Sequence, residues 1–214
     1  SFPTRRSSDL KGAFTKGQER ILKTIAITIS LIAWIWAFVL LAKSDVHPAY
    51  FVAGHVMVGL ACICTSLIAL VATIARQIRN VYTDRERKRW PKLVLLMGTV
   101  SLLWGLFVIF SDSSTTNGVI GYIMIGLGLV CYSISSKVIL LAKIWGREFA
   151  LANRIPLIPV LTALACLFLA SFVFELGTTH DDYFIPARVL AGLGAICFTL
   201  FSIVSILESG TSSK

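Results

Sequence analysis

The 214-residue chain is 56% hydrophobic and only 14% charged, with a mean hydropathy of +0.81. A soluble domain carries charge on about a quarter of its residues, so a mainly water-facing surface is excluded. The net charge of +9 does not point to nucleic acid either. Of 20 Lys and Arg residues, 16 lie outside the apolar blocks in the N-terminal segment, two alternate loops and the C-terminal tail, where basic residues set membrane topology.

Six apolar blocks of bilayer length are predicted as transmembrane helices: 22–42, 51–75, 93–110, 118–142, 156–174 and 184–207. With their loops they fill the chain, so the expected fold is a single all-α membrane domain over 11–208, followed by a polar tail at 209–214. Ahead of it, 1–10 reads as the in-frame translation of a common sequencing adapter and is set apart as foreign. The natural chain is therefore expected to continue on the N-terminal side.

After the basic approach of Lys11, Lys16 and Arg20, the first block ends in a short outer turn at 43–48, where Pro48 breaks helical continuity. The second block runs to Arg76 and Arg79, and 84–89 completes a basic loop. Trp90 and Pro91 are predicted at the start of the third span, since Trp favours the headgroup level and Pro a first helical turn. A polar outer loop at 111–118 follows, and the fourth block reaches Lys143, Trp145 and Arg147. Asn153 to Pro156 opens the fifth, and 177–182 is the last outer loop. Outer loops carry Asp45, Asp112, Glu175, Asp181 and Asp182, so both ends of the chain are predicted cytoplasmic. The bilayer is the expected partner, with anionic lipid head groups on the basic loops.

Part of the sequence recurs. Gly59, Gly126 and Gly192 are 67 and 66 residues apart, and Cys64, Cys131 and Cys197 keep the same spacing. A fixed period predicts one unit used three times, here three tandem, parallel helical hairpins of about 66 residues. Gly54 and Gly121 mark a second recurrent glycine position, and Ser66, Ser133 and Thr199 a hydroxyl position. The odd blocks share Ala37, Gly105 and Ser171. In the sixth block Ala187, Ala191 and Ala195 form a small-residue stripe. All these positions are read as helix packing, which in lipid relies on small residues and hydroxyls.

Four residues before the recurrent glycine, on the same helix face, stand His55, Tyr122 and Arg188. The three define a candidate polar layer in the outer half of the membrane, with Glu175 and Asp181 nearby. Such residues tend to face a bundle interior or an aqueous cavity. The alternative is that each reaches the interface as a snorkelling side chain or a loop cap. Lys137, one to two turns before Lys143, either snorkels to the cytoplasmic interface or lines an inner vestibule. The five cysteines all lie in apolar blocks, and Cys62-x-Cys64 lacks a second ligand pair at zinc spacing, so no metal is expected. No nucleophile triad, HExxH, phosphate-binding loop or paired intramembrane carboxylate is present in the sequence. Enzyme chemistry and a cofactor are therefore not expected.

The phrases Tyr50-Phe51-Val52-Ala53-Gly54-His55-Val56, Leu70 to Ile74, Ser133 to Val138, Ala152 to Pro159 and Cys197 to Glu208 resemble the YhiM-like inner membrane proteins of enterobacteria. The resemblance covers nearly all of the chain after 1–10. It implies a longer protein with additional preceding spans, a loose association with acid-stress survival, and no established activity or site residues. Two functions of different class follow as expectations. One is a transporter or channel for protons or a small solute, with an aqueous cavity reaching the polar layer. The other is a non-transporting scaffold or stress sensor, with a solid bundle.

Overall fold

The computed structural model describes residues 15–79, 81–145, 155 and 157–212; the 1–10 segment and most of the 146–156 connection lie outside them. Six long helices make up the fold: α1 (Lys16–Ala42), α2 (Pro48–Ile78), α3 (Asp84–Ser111), α4 (Thr115–Trp145), α5 (Leu157–Gly177) and α6 (Phe184–Ser212). A short 3-10 turn at Asp181–Tyr183 precedes α6. All six are long and apolar enough to cross a membrane.

Local chemistry sets the helix starts. Thr15 and Thr83 each build a capping box with Gln18 and Glu86, satisfying backbone N–H groups that would otherwise lack partners. His47 caps α2 through a side chain that accepts from Ala49 N, and Pro48 occupies the first turn, where its missing N–H costs nothing. The Thr83 box also corrects one expectation. Because α3 begins at Asp84, Pro91 lies two turns inside the helix rather than at its start. The basic loop is itself helical and extends beyond the apolar span. Similarly α6 continues to Ser212, past the end expected near Glu208.

Consecutive helices pair as hairpins: α1 with α2, α3 with α4, α5 with α6. The even helices then lie side by side in the order α2, α4, α6, with α3 seated against both α2 and α4 and α5 against both α4 and α6. The central helix is α4, most of whose apolar window is buried. Two glycine positions serve different contacts. A Cβ at Gly54 would meet Leu41 Cγ at 2.9 Å, and one at Gly121 would press on Ile109, so this position closes hairpins. A Cβ at Gly59 would stand 2.5 Å from Leu127 of α4, and one at Gly126 2.7 Å from Leu190 of α6. That position brings neighbouring hairpins together. The outward faces carry Ile21, Ile25, Ile32, Phe107, Phe110, Leu161 and Phe168, all exposed, a surface suited to acyl chains rather than water.

Candidate functional site

Polar side chains interrupt this bundle at three places. The first is the half of the bundle away from the basic loops. His55 is 8% exposed, with Nδ1 2.8 Å from the carbonyl oxygen of Phe51 on its own helix. Its ring centroid is 4.4 Å from Phe51 and 6.2 Å from Trp104 of α3. Tyr122 is half-buried, 6.4 Å from the Phe172 ring of α5 and 6.1 Å from Tyr183. Arg188 is exposed, beside a groove of about 370 Å³ between α5 and α6 that also involves Ala170, Ser171, Phe174, Ala187 and Ala191. Glu175 and Asp181 are exposed.

Among the described residues, no hydrogen bond or ion pair joins His55, Tyr122, Arg188 and Glu175 to one another. The layer expected from the sequence is thus three separate positions. The even helices stand in a row, so His55 and Tyr122 at matching register each meet an aromatic ring of the following odd helix.

The second place is the half of α4 nearer the basic loops. Lys137 is 6% exposed and makes no hydrogen bond or ion pair among the described residues. One turn earlier on the same face, Ser133 is fully buried, and its Oγ lies beside the Cys197 thiol of α6 without reaching hydrogen-bond geometry. Its sequence equivalents are satisfied: Ser66 donates to Cys62 O at 2.8 Å and Thr199 to Ala195 O at 3.0 Å. Across the α2–α4 contact, Gln77 Nε2 donates to Leu141 O at 2.9 Å. One turn nearer the membrane centre from that pair are Thr73 on α2 and Lys137 on α4. Thr73 is buried, and its Oγ1 lies beside the Tyr82 hydroxyl without reaching hydrogen-bond geometry. Lys137 and Thr73 therefore stand at one level of adjacent helices, with the Ser133 hydroxyl one turn away along α4. Thr73 carried no sequence signal of its own; only its register opposite Lys137 gives it a role.

The third place is the basic end. A helix of 27 residues is about 40 Å long, against about 30 Å of hydrocarbon, so the first turn of α1 projects beyond the apolar zone. Glu19 sits there, 5% exposed. It accepts from Lys23 Nζ at 2.5 Å and from Arg79 Nη1, with Arg76 Nη1 at 3.8 Å. Arg76 Nε in turn lies 2.6 Å from Glu86 Oε1, a charge contact without an aligned hydrogen. This cluster ties α1, the end of α2 and the start of α3. Burial raises the Glu19 carboxyl, but hydrogen bonds and charge from Lys23 and Arg79 outweigh it and hold Glu19 below the ordinary value. The sequence reading passed over Glu19; its spacing four residues before Lys23 was the available signal.

Residues 2–212 match the family described as Protein of unknown function (DUF2776). The chain belongs to this family. This DUF2776 protein is similar to Inner membrane protein YhiM of Escherichia coli (strain K12), with 51% identity over 193 residues. The aligned part covers 90% of this chain and 55% of YhiM, so the chain spans about half the length of that relative. No solved structure matches the DUF2776 chain. The family match begins inside the 1–10 segment that reads as adapter sequence.

Proposed function

We propose that this multi-pass inner membrane protein belongs to a transporter or channel for protons or a small solute, acting in acid-stress survival as the family resemblance implies. Lys137 is its ionisable residue. One observation carries the reading: a lysine in the inner half of the central helix is buried without a carboxylate partner among the described residues. Ionisable side chains inside membranes are costly and mark ion or solute pathways. Ser133 and Thr73 supply hydroxyls that would exchange a proton with the ammonium or hold a small anion beside it. Nothing in this chemistry requires a cofactor or covalent catalysis.

The test is proton flux into proteoliposomes of the full-length protein, wild type against Lys137→Met and Lys137→Arg. Flux lost in Lys137→Met and kept above one-tenth of wild type in Lys137→Arg supports the reading. Wild-type flux no greater than that of empty liposomes from neutral to acid pH removes proton conduction. A specific observation favours the second reading, a scaffold or sensor without transport. His55 and Tyr122 are covered by Trp104 and Phe172, which supports a solid outer half.

A further inference from the structure

The two faces of α3 differ in kind. One is buried and consists of Val94, Gly98, Ser101, Gly105 and Val108, the small side chains by which helices approach one another in lipid. The opposite face, read at helical spacing, begins with Arg85, Arg89 and Lys92 and continues as Leu96, Leu103, Phe107 and Phe110. These last four are 54%, 57%, 69% and 83% exposed. Such bulky side chains suit acyl chains rather than a close helix contact, so this stripe is lipid-facing by its own chemistry.

Helix length sets the depth of the three cations. The 28 residues of α3 extend about 42 Å, against about 30 Å of hydrocarbon, so about eight residues lie outside it. Those residues are Asp84 to Pro91, because uninterrupted apolar sequence starts at Leu93. Arg85 and Arg89 thus stand at the level of the head groups. Lys92 stands at the boundary, where a lysine stem lies along apolar surface and its ammonium reaches the phosphates. Among the described residues, none of the three has a hydrogen bond or an ion pair. Glu86, the carboxylate beside them, is already engaged: it lies 2.6 Å from Arg76 Nε and closes the Thr83 capping box.

The three cations line one groove of about 520 Å³ with Trp90, Leu93 and Leu96, a volume within the range of small-molecule sites. Along the membrane normal its wall changes from basic to apolar, in the order in which a phospholipid changes from phosphate to acyl chain. Trp90 stands at the transition, the level that indole rings favour. We infer that this groove binds one anionic glycerophospholipid, its phosphate between Arg85 and Arg89 and a chain along Leu93 and Leu96. The guanidinium fork pairs two phosphate oxygens at once, and Lys92 adds a point charge beside it. A zwitterionic head group brings its own ammonium against the three cations and binds less tightly. The site is separate from Lys137, which lies inside the bundle on α4.

The test is native mass spectrometry of the full-length protein in detergent, titrated with phosphatidylglycerol or phosphatidylethanolamine bearing the same chains. The expected result is a first phosphatidylglycerol bound at least ten times more tightly than the first phosphatidylethanolamine. Combined Arg85→Gln, Arg89→Gln and Lys92→Gln is expected to lose that preference. Combined Lys16→Gln, Arg20→Gln and Lys88→Gln, which removes the same charge from the same end of the bundle, is expected to keep it. Should the first triple variant fail to fold, Arg89→Gln against Lys88→Gln reads the same contrast, an affinity loss of at least threefold against none. Excess glycerol 3-phosphate is expected to leave the lipid bound, because the chain contributes to binding; displacement would overturn the lipid assignment in favour of a free phosphate ester. Equal loss in the two triple variants overturns a defined site in favour of diffuse charge attraction. A wild-type protein that does not prefer phosphatidylglycerol overturns the inference outright.

Discussion

Glu19 and Lys137 lie toward the same basic end of the bundle, yet their surroundings differ in kind. Glu19 is held by cations from two helices, whereas Lys137 has no counter-charge among the described residues. Breaking a well-buried ion pair costs about 3–5 kcal/mol. Because Lys23, Arg76 and Arg79 are each about a quarter exposed, solvent screening reduces this, and Glu19→Gln is expected to cost about 1–2 kcal/mol at neutral pH. The pH dependence has a definite sign. A carboxylate whose folded value is lowered stabilises fully above the ordinary carboxylate value of 4.5 and loses that contribution as pH falls through its own lower value. The melting temperatures of wild type and Glu19→Gln in detergent should therefore differ from pH 8 to 5 and begin to converge as the pH falls below 4.5. A constant gap down to pH 3 would assign the loss to packing instead.

Among elements, the glycines decide how closely helices approach. A Cβ at Gly121 would lie 2.7 Å from the backbone oxygen of Gly105 and would also strike Ile109, so α3 and α4 must separate to admit it. Gly121→Ala is expected to lower stability by about 1–3 kcal/mol, the usual range for overpacking. Gly17→Ala, whose nearest atom is Thr15 Oγ1 at 3.8 Å, is expected to be neutral or to stabilise, since alanine favours helix. Unfolding both variants in detergent against increasing dodecyl sulfate reads the difference. At this scale the sequence was informative for physical reasons. Apolar block length reports bilayer thickness, and recurrent glycines report close approach. It did not reveal where α3 begins, because the Thr83 capping box rather than hydrophobicity starts that helix. Nor did it show that the His55, Tyr122 and Arg188 positions lie apart, because shared register says which face a residue takes but not whether helices stand in a row or around an axis. The Glu19 cluster was hidden for a related reason: Arg79 is 60 residues away, and only the fold joins them.

For the whole molecule, the charge distribution leads to an orientation that chemical labelling can test. The end formed by the α1 start, the α2–α3 connection and the α4 end holds Lys16, Arg76, Arg79, Arg85, Lys88, Arg89, Lys92 and Lys143. The opposite end holds Asp45, Asp112, Asp181 and Asp182 with Lys43 alone. Short cationic loops resist translocation, and the anionic inner leaflet attracts them further. Part of that basic end is occupied internally, since Arg76 and Arg79 are held by Glu19 and Glu86. Arg85, Arg89 and Lys92 instead line a surface groove of about 520 Å³ with Trp90 and Leu93, at the depth where phosphate head groups meet acyl chains. In a cysteine-free background, Ser114→Cys is expected to react with a membrane-impermeant maleimide in spheroplasts at least five times faster than Lys88→Cys. Permeabilisation should remove the difference by raising only the Lys88→Cys rate. The reverse order would invert the topology, placing the Arg85–Lys92 face outside and the α6 polar position Arg188 in the inner half. An odd number of spans would instead expose a reporter fused at the C-terminus on the side opposite Lys88→Cys. Six crossings require that both report from the same side.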